Sequence, residues 1–177
     1  MKSENRLKRQ LKAIYLLMVR GSGTPEYIAR GWAIGMFFGC FIPFGFQLIL
    51  SIPTAILLRG SKIGASVGTL ITNPVTIFFI YPAQCYLGNR LLGGSLSWSR
   101  ISEMLGNLTG GDLPVLEAVK ELVSLGWDIV AAFFLGGAII TAIMTPITYI
   151  LVKKLVVRYR DFREKRRRLR SGEISHD

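Results

Sequence analysis

Set in otherwise apolar text, this chain of 177 residues carries side chains suited to holding a ligand rather than transforming one. Gln47, Ser51 and Thr54 share one uncharged stretch; Thr69, Thr72, Asn73, Thr76 and Gln84 share the next. Their amides and hydroxyls need hydrogen-bond partners wherever water is excluded. Asn73-Pro74 carries most weight, because proline withdraws a backbone donor and frees a carbonyl one turn earlier. Asn73 can cap a half-helix that begins at Pro74, or it can face a ligand. Pro43-Phe44-Gly45, followed by Gln47, would be the matching half of such a site. Helix N-termini carry about +0.5 elementary charge and attract anions. Arg30, Arg59, Lys62 and Arg90 stand at the apolar boundaries, so the implied ligand is anionic, with a lipid phosphate the obvious candidate. In this reading Arg30, Arg59 and Arg90 draw the head group, and Asn73, Thr76 and Gln47 orient it.

Reactive chemistry is not foreseen. No Asp, Glu, Lys, Arg or His falls within 31–58, 63–89 or 129–152. Ion-coupled pumps usually carry an ionisable group inside the membrane. There is no Ser/His/Asp arrangement, phosphate loop or carboxylate pair at helical spacing, so the chain reads as non-enzymatic. Cys40 and Cys85 lie inside apolar runs and read as buried small hydrophobes rather than a disulfide. They share no ligand spacing with each other or with the single histidine, His176, so neither a metal nor a cofactor is expected.

The elements that must position these groups are the three uncharged stretches. Each exceeds the ~20 residues an α-helix needs to cross ~30 Å of hydrocarbon. Half of all residues are apolar, and the mean hydropathy of +0.40 is high for a water-soluble fold. The expectation is an all-α integral membrane protein. Residues 31–59 and 60–88 align without a gap, and Gly31, Ile34, Gly35, Gly39, Ile42, Pro53 and Leu58 match Gly60, Ile63, Gly64, Gly68, Ile71, Pro82 and Leu87. Each copy is interrupted near its middle, at Pro43 and Gly45 in the first and at Pro74 in the second. Two tandem broken-helix repeats, re-entrant or kinked, are therefore expected, since paired interrupted segments mark sites built from discontinuous helices. Gly31/Gly35/Gly39 and Gly60/Gly64/Gly68 each line one helical face and predict close packing at small residues.

Around this core, residues 1–24 form a basic segment in which 5–20 is an amphipathic helix, lying on the membrane or packed on the domain. Gly21-Ser22-Gly23 is a loop, after which Thr24 caps a helix with Pro25 in its first turn. The membrane domain covers 25–152. Its connector, 89–128, has spacings suited to two interfacial helices, with Trp98 and Trp127 in the aromatic belt. The last apolar segment is 129–152, and 153–177 is a basic tail with ten Lys/Arg against four acids. Basic flanks stay inside, so both termini face the cytoplasm and the complete crossings are even in number. Two topologies meet that condition. In one, 31–58 dips in and returns, 63–87 crosses and 129–152 spans. In the other, both copies are re-entrant hairpins and 129–152 is a third, broken at Gly136-Gly137. The tail binds anionic lipid in this reading; nucleic acid is not expected, since no groove-reading module is present.

The chain resembles the bacterial membrane family catalogued as domain of unknown function 2062. The resemblance runs from about Thr24 to Gly93. It rests on Pro25, Ala29, Gly31, Gly35, Gly39, Pro43, Gly45 and Gln47, then Gly68, Thr69, Asn73-Pro74, Thr76, Tyr81 and Gly88, and most of all on "GTLITNPVT". Gly60-Ser61-Lys62 departs from the family's frequent Asn after "LLR". The resemblance implies a small protein of the bacterial inner (cytoplasmic) membrane with no established activity. Fusion of relatives to glycosyltransferase domains implies a glycosyltransferase partner.

The leading functional expectation is transporter-like handling of an anionic phospholipid or polyprenyl phosphate between the two breaks. The rival is an oligomeric scaffold, its glycine faces building a homo-oligomer and its basic tails recruiting an acidic cytoplasmic partner. A lipid-modifying enzyme is the third reading.

Overall fold

The computed structural model describes residues 21–43, 46–70, 74–95, 97–109 and 126–170, with residues 16, 120 and 123. Among these the chain is all-helical, in six helices. They are α1 (Pro25–Phe41), α2 (Gln47–Leu57), α3 (Lys62–Thr69), α4 (Pro74–Leu91), α5 (Trp98–Thr109) and α6 (Trp127–Arg170). Helix α1 ends at Phe41 before Pro43, and Pro74 is the first residue of α4; Phe44, Gly45 and Asn73 lie outside the described residues. The 5–20 helix, the second connector helix and the tail beyond 170 lie outside the described residues.

Local signals explain the helix starts. Pro25 opens α1 behind Thr24, whose hydroxyl accepts from the Tyr27 N–H at 3.2 Å. Ser61 does the same for α3, accepting from the Gly64 N–H at 3.0 Å. Each supplies one partner for the amides that a helix leaves unpaired in its first turn.

Contacts fix the helix directions. The Gln47 amide donates to the carbonyls of Gly39 (2.9 Å) and Ile42 (3.0 Å). At the other end of α2, the Arg30 guanidinium donates to the Leu58 carbonyl at 3.1 Å. Helices α1 and α2 are therefore an antiparallel hairpin. The Ser61 N–H then donates to the Tyr27 carbonyl (3.0 Å), which places α3 beside the start of α1. Helix α3 follows α1 in parallel: Gly31 abuts Ser61, Gly35 abuts Ala65 and Gly39 abuts Thr69. Helix α6 runs against both α1 and α4. Phe41 meets Phe134 at 5.6 Å between ring centroids, and Glu26 pairs with Lys153 at 3.0 Å. On the other side Gly88 lies on Ala132, and Gly136 on Gln84. Helices α1, α3 and α4 thus point one way, and α2 and α6 the other.

In this arrangement α2 returns alongside α1, while α4 keeps the direction of α1. The alternative break at Gly136-Gly137 is absent, because α6 runs unbroken through it. Gly136 has a different role: a Cβ there would stand 2.7 Å from the Gln84 carbonyl carbon, so only glycine admits the α4 backbone. The glycines of α1 and α3 also face each other. A Cβ on Gly35 would come within 2.8 Å of the Gly68 Cα, and one on Gly60 within 3.0 Å of the Gly31 nitrogen. Both glycine faces are spent on contacts within one chain.

Two apolar clusters hold the bundle. Ile28, Ala29 and Trp32 of α1 pack on Val152 and Val156 of α6. Ile77, Tyr81 and Cys85 of α4 pack on Ile101 of α5 and Ile129, Val130 and Phe133 of α6. The connector helix α5 thus caps the α4–α6 end through Ile101. One helix among the described residues is long and apolar enough to cross a membrane, Trp127–Leu169, whose most apolar window has mean hydropathy 2.0 and is only 39% buried.

Candidate functional site

The ends of α1 and α3 lie side by side. Helix α1 ends where α3 ends, and a Cβ on Gly39 would lie 3.3 Å from the Thr69 Cα. Around this level the bundle buries polar rather than apolar side chains. Gln47 is 3% exposed, Thr69 2%, and Ser51 and Gln84 0%. Thr141 is buried as well and bonds back to the Gly137 carbonyl at 2.8 Å.

Chain geometry explains the two glutamines. A helix leaves its last carbonyls unpaired, and away from water each must find a donor. Gln47 supplies Gly39 and Ile42, and the Gln84 amide supplies Cys40. The C-terminus of α1 is thereby closed by two side chains from different helices. Gln84 Oε1 and Ser51 Oγ remain buried without a hydrogen-bond partner. Thr76 is half-buried in the first turn of α4, which Pro74 opens, and Pro43 follows the end of α1. Asn73 and Gly45 lie outside the described residues. Among the described residues no group of three or more His, Cys, Asp or Glu is placed to hold a metal ion. Amides and hydroxyls at this level can bind and orient a polar group; none is a proton-transfer group at neutral pH.

The cations gather at the opposite end of α1. Arg30 reaches the Leu58 carbonyl, and Arg59 and Lys62 are exposed on the same turn. Lys153 joins them through its ion pair with Glu26. The hydrogen bond from Lys153 holds the Glu26 carboxyl below its ordinary pKa and raises that of the lysine in return. Among the described residues Arg59 is the one non-glycine residue in the left-handed region, with φ of 51°. That conformation costs an L-residue about 1–2 kcal/mol. Glycine would sit there without strain, yet the chain has a guanidinium at this turn.

Arg90 does not join this group. Gln84 and Cys40 touch, which puts α1 and α4 in register there. Arg30 is ten residues before Cys40 and Arg90 six beyond Gln84, so at 1.5 Å per residue they stand about 24 Å apart along the bundle. Arg90 instead stacks on Tyr86, 5.4 Å from the ring centroid. The sequence-derived set therefore divides into three: Gln47 and Thr76 on the helices that begin at the breaks, Arg30 and Arg59 at the basic end, and Arg90 at the far end. The structure adds Gln84, Lys153 and Arg160, whose guanidinium donates to the carbonyls of Gly21 (3.2 Å) and Gly23 (2.6 Å). Gln84 was visible as a deep polar residue, but its partner, Cys40, is 44 positions away and carries no local signal.

The family model for an uncharacterized protein conserved in bacteria, domain of unknown function 2062, matches residues 8–165. This chain belongs to that family. The matched range takes in α1 to α5 and most of α6, well past the stretch that carried the resemblance. No curated protein and no solved structure matches the chain.

Proposed function

We propose that this chain is an integral protein of the bacterial cytoplasmic membrane that handles an anionic lipid or a lipid-linked phosphate. The carrying observation is apolar surface left exposed around buried polar groups. Ile49, Leu57, Ile63, Phe79, Ile143 and Leu151 are each more than half exposed, while Gln47, Ser51, Thr69, Gln84 and Thr141 are buried. Apolar surface of that extent on a monomer marks a membrane or a partner. Within this reading α6 spans, α1–α2 is a re-entrant hairpin, and α3–α4 is a span broken at 70–73. The aligned stretches are then repeats whose first halves pair and whose second halves diverge. The start of α1 and the basic part of α6 lie together, which suits two cytoplasmic termini.

Arg30, Arg59 and Lys62 would take the head group at the cytoplasmic surface, and the strained Arg59 is the residue most committed to it. Asn73, Thr76 and Gln47 would meet the polar part of the substrate at the level of the breaks. Broken backbone is tolerated at membrane depth where protein or a wet cavity covers it. Transport, rather than static binding, is the reading in which this polar level is used.

Two measurements test this. Single cysteines at Lys62 and Leu92 should label from opposite faces of sealed vesicles; labelling from one face removes the broken span. Native mass spectrometry of the detergent-extracted protein should show a bound phospholipid or polyprenyl phosphate, and less of it in Arg59→Ala and Asn73→Leu. Wild-type lipid occupancy in both folded variants would remove the site.

A further inference from the structure

Helix α6 does not stop where its apolar part stops. From Lys153 to Arg170 it continues as one helix for about 27 Å at 1.5 Å per residue. This extension holds ten Lys/Arg against Asp161 and Glu164, and every side chain from 161 to 169 is exposed. Its base is anchored by Lys153 on Glu26 and by Arg160 on the Gly21 and Gly23 carbonyls.

Three observations select a partner. The first is electrostatic frustration. Lys154/Arg158, Arg163/Arg167 and Arg166/Arg170 are like charges four residues apart, an arrangement that opposes the helix. Within the extension Glu164 pairs with Arg168. An anionic partner relieves this repulsion. A second copy would double it, and the basic segment 1–24 of this chain would add to it.

The second is height. If 129–152 spans, Arg163 stands about 16 Å beyond the apolar boundary and Arg170 about 27 Å. Head groups take up roughly 5–7 Å of that on each side. The distal charges are thus a Debye length of about 8 Å or more above the lipid surface. The outer half of the extension is out of reach of the membrane that holds its base, contrary to the expectation that the whole tail binds lipid.

The third is an apolar line. Leu155, Phe162 and Leu169 recur every seven residues and are 39%, 58% and 59% exposed. Arg166 lies over the Phe162 ring at 4.9 Å. One apolar residue per heptad, flanked by Lys154, Arg158, Lys165, Arg166 and Arg168, makes a narrow apolar line between cations, which complements a helix carrying acids beside its own apolar positions. Phosphate backbones of nucleic acid would use the charge and leave the line idle.

We propose that the Lys153–Arg170 helix docks an acidic amphipathic helix of a cytoplasmic protein partner, through the Leu155–Phe162–Leu169 line and the arginines beside it. The height argument rests on the membrane reading above; the apolar line does not.

The test uses the full detergent-purified chain and a fluorescent three-heptad peptide with leucine at every seventh position and glutamate beside it. Its comparators are a scrambled peptide of equal composition and a short RNA duplex. The patterned peptide is expected to bind about tenfold tighter than the scrambled one. Phe162→Ser should abolish that preference and leave binding of the scrambled peptide unchanged. Equal binding of the two peptides, or RNA binding as tight as the patterned peptide, overturns the proposal. The titration is independent of lipid, so its failure is distinct from a failure of the Lys62/Leu92 labelling.

Discussion

After α1 the chain turns back at 42–46, and α2 returns Leu58 to the reach of Arg30. After α3 it passes 70–73, and α4 keeps the direction that α1 and α3 share. These two second halves belong to stretches that align without a gap, with seven identical positions. What they share, glycines four apart and a mid-stretch interruption, sets the α1–α3 contact and the positions of the breaks. What they do not share sets direction. Helix α2 turns Gln47, Ser51 and Ala55 inward at four-residue spacing, small or capping groups that let it lie against its own predecessor. Where the first stretch has Ala55 and Arg59, the second has Gln84 and Gly88 in α4, and those two meet α6 at Gly136 and Ala132. The fate of a half-helix is decided by its partner, not by the motif that precedes it.

The strongest challenge to this comparison is at the glycines. Gly35→Ala and Gly136→Ala push a methyl into backbone and are each expected to destabilise by about 2–3 kcal/mol, seen as loss of the monodisperse peak in size exclusion. Gly137→Ala meets nothing closer than 3.6 Å and should behave as wild type. If the neighbours 136 and 137 respond alike, the α4–α6 contact is wrong.

The glutamines sharpen it further. Gln47→Leu strands two carbonyls and should cost about 2 kcal/mol; Gln84→Leu strands one, removes an unpartnered Oε1, and should cost about 1 kcal/mol. Thermal unfolding in detergent reads the difference. Equal losses would mean that the hairpin tip is no more dependent on side-chain caps than the through-going helix.

Arg59→Gly separates stability from binding. Relief of the left-handed strain should stabilise by about 1 kcal/mol, while bound anionic lipid falls. A stabilised variant with full lipid occupancy would leave Arg59 without a role. The smallest effect concerns Glu26. Its carboxyl pKa is depressed, so its contribution to stability is complete above the ordinary value of 4.5 and is lost as pH falls below that toward the folded pKa. The Tm gap between wild type and Lys153→Met should be present at pH 7 and close as the solution is acidified; a gap constant with pH would dismiss the Glu26–Lys153 pair.

Legibility followed the range of the physics. Thr24, Pro25 and Pro74 announce helix starts through neighbours one turn away, and the all-helical class could be read from the uncharged stretches. The glycine faces were legible as packing surfaces, though not as each other's partners. Three facts were hidden because their causes lie far away in sequence: Arg90 stands remote from Arg30, Gly136 seats α4 instead of breaking α6, and Gln84 closes α1. Sequence distance between Cys40 and Gln84, or between Gly21 and Arg160, leaves no periodicity to detect. The basic tail was visible as charge alone, and only the continuity of α6 turned it into a rod.

That continuity has a mechanical meaning. A load applied at Arg170 passes down a single shaft into Gly136, where the α4 backbone sits with no slack, and so to the carbonyl end of α1. Pro146 is the only place on that shaft lacking an amide donor, and hence its one compliant point. Stiffening it with alanine would tie the basic end of α6 more tightly to its contact with α4 at Gly136.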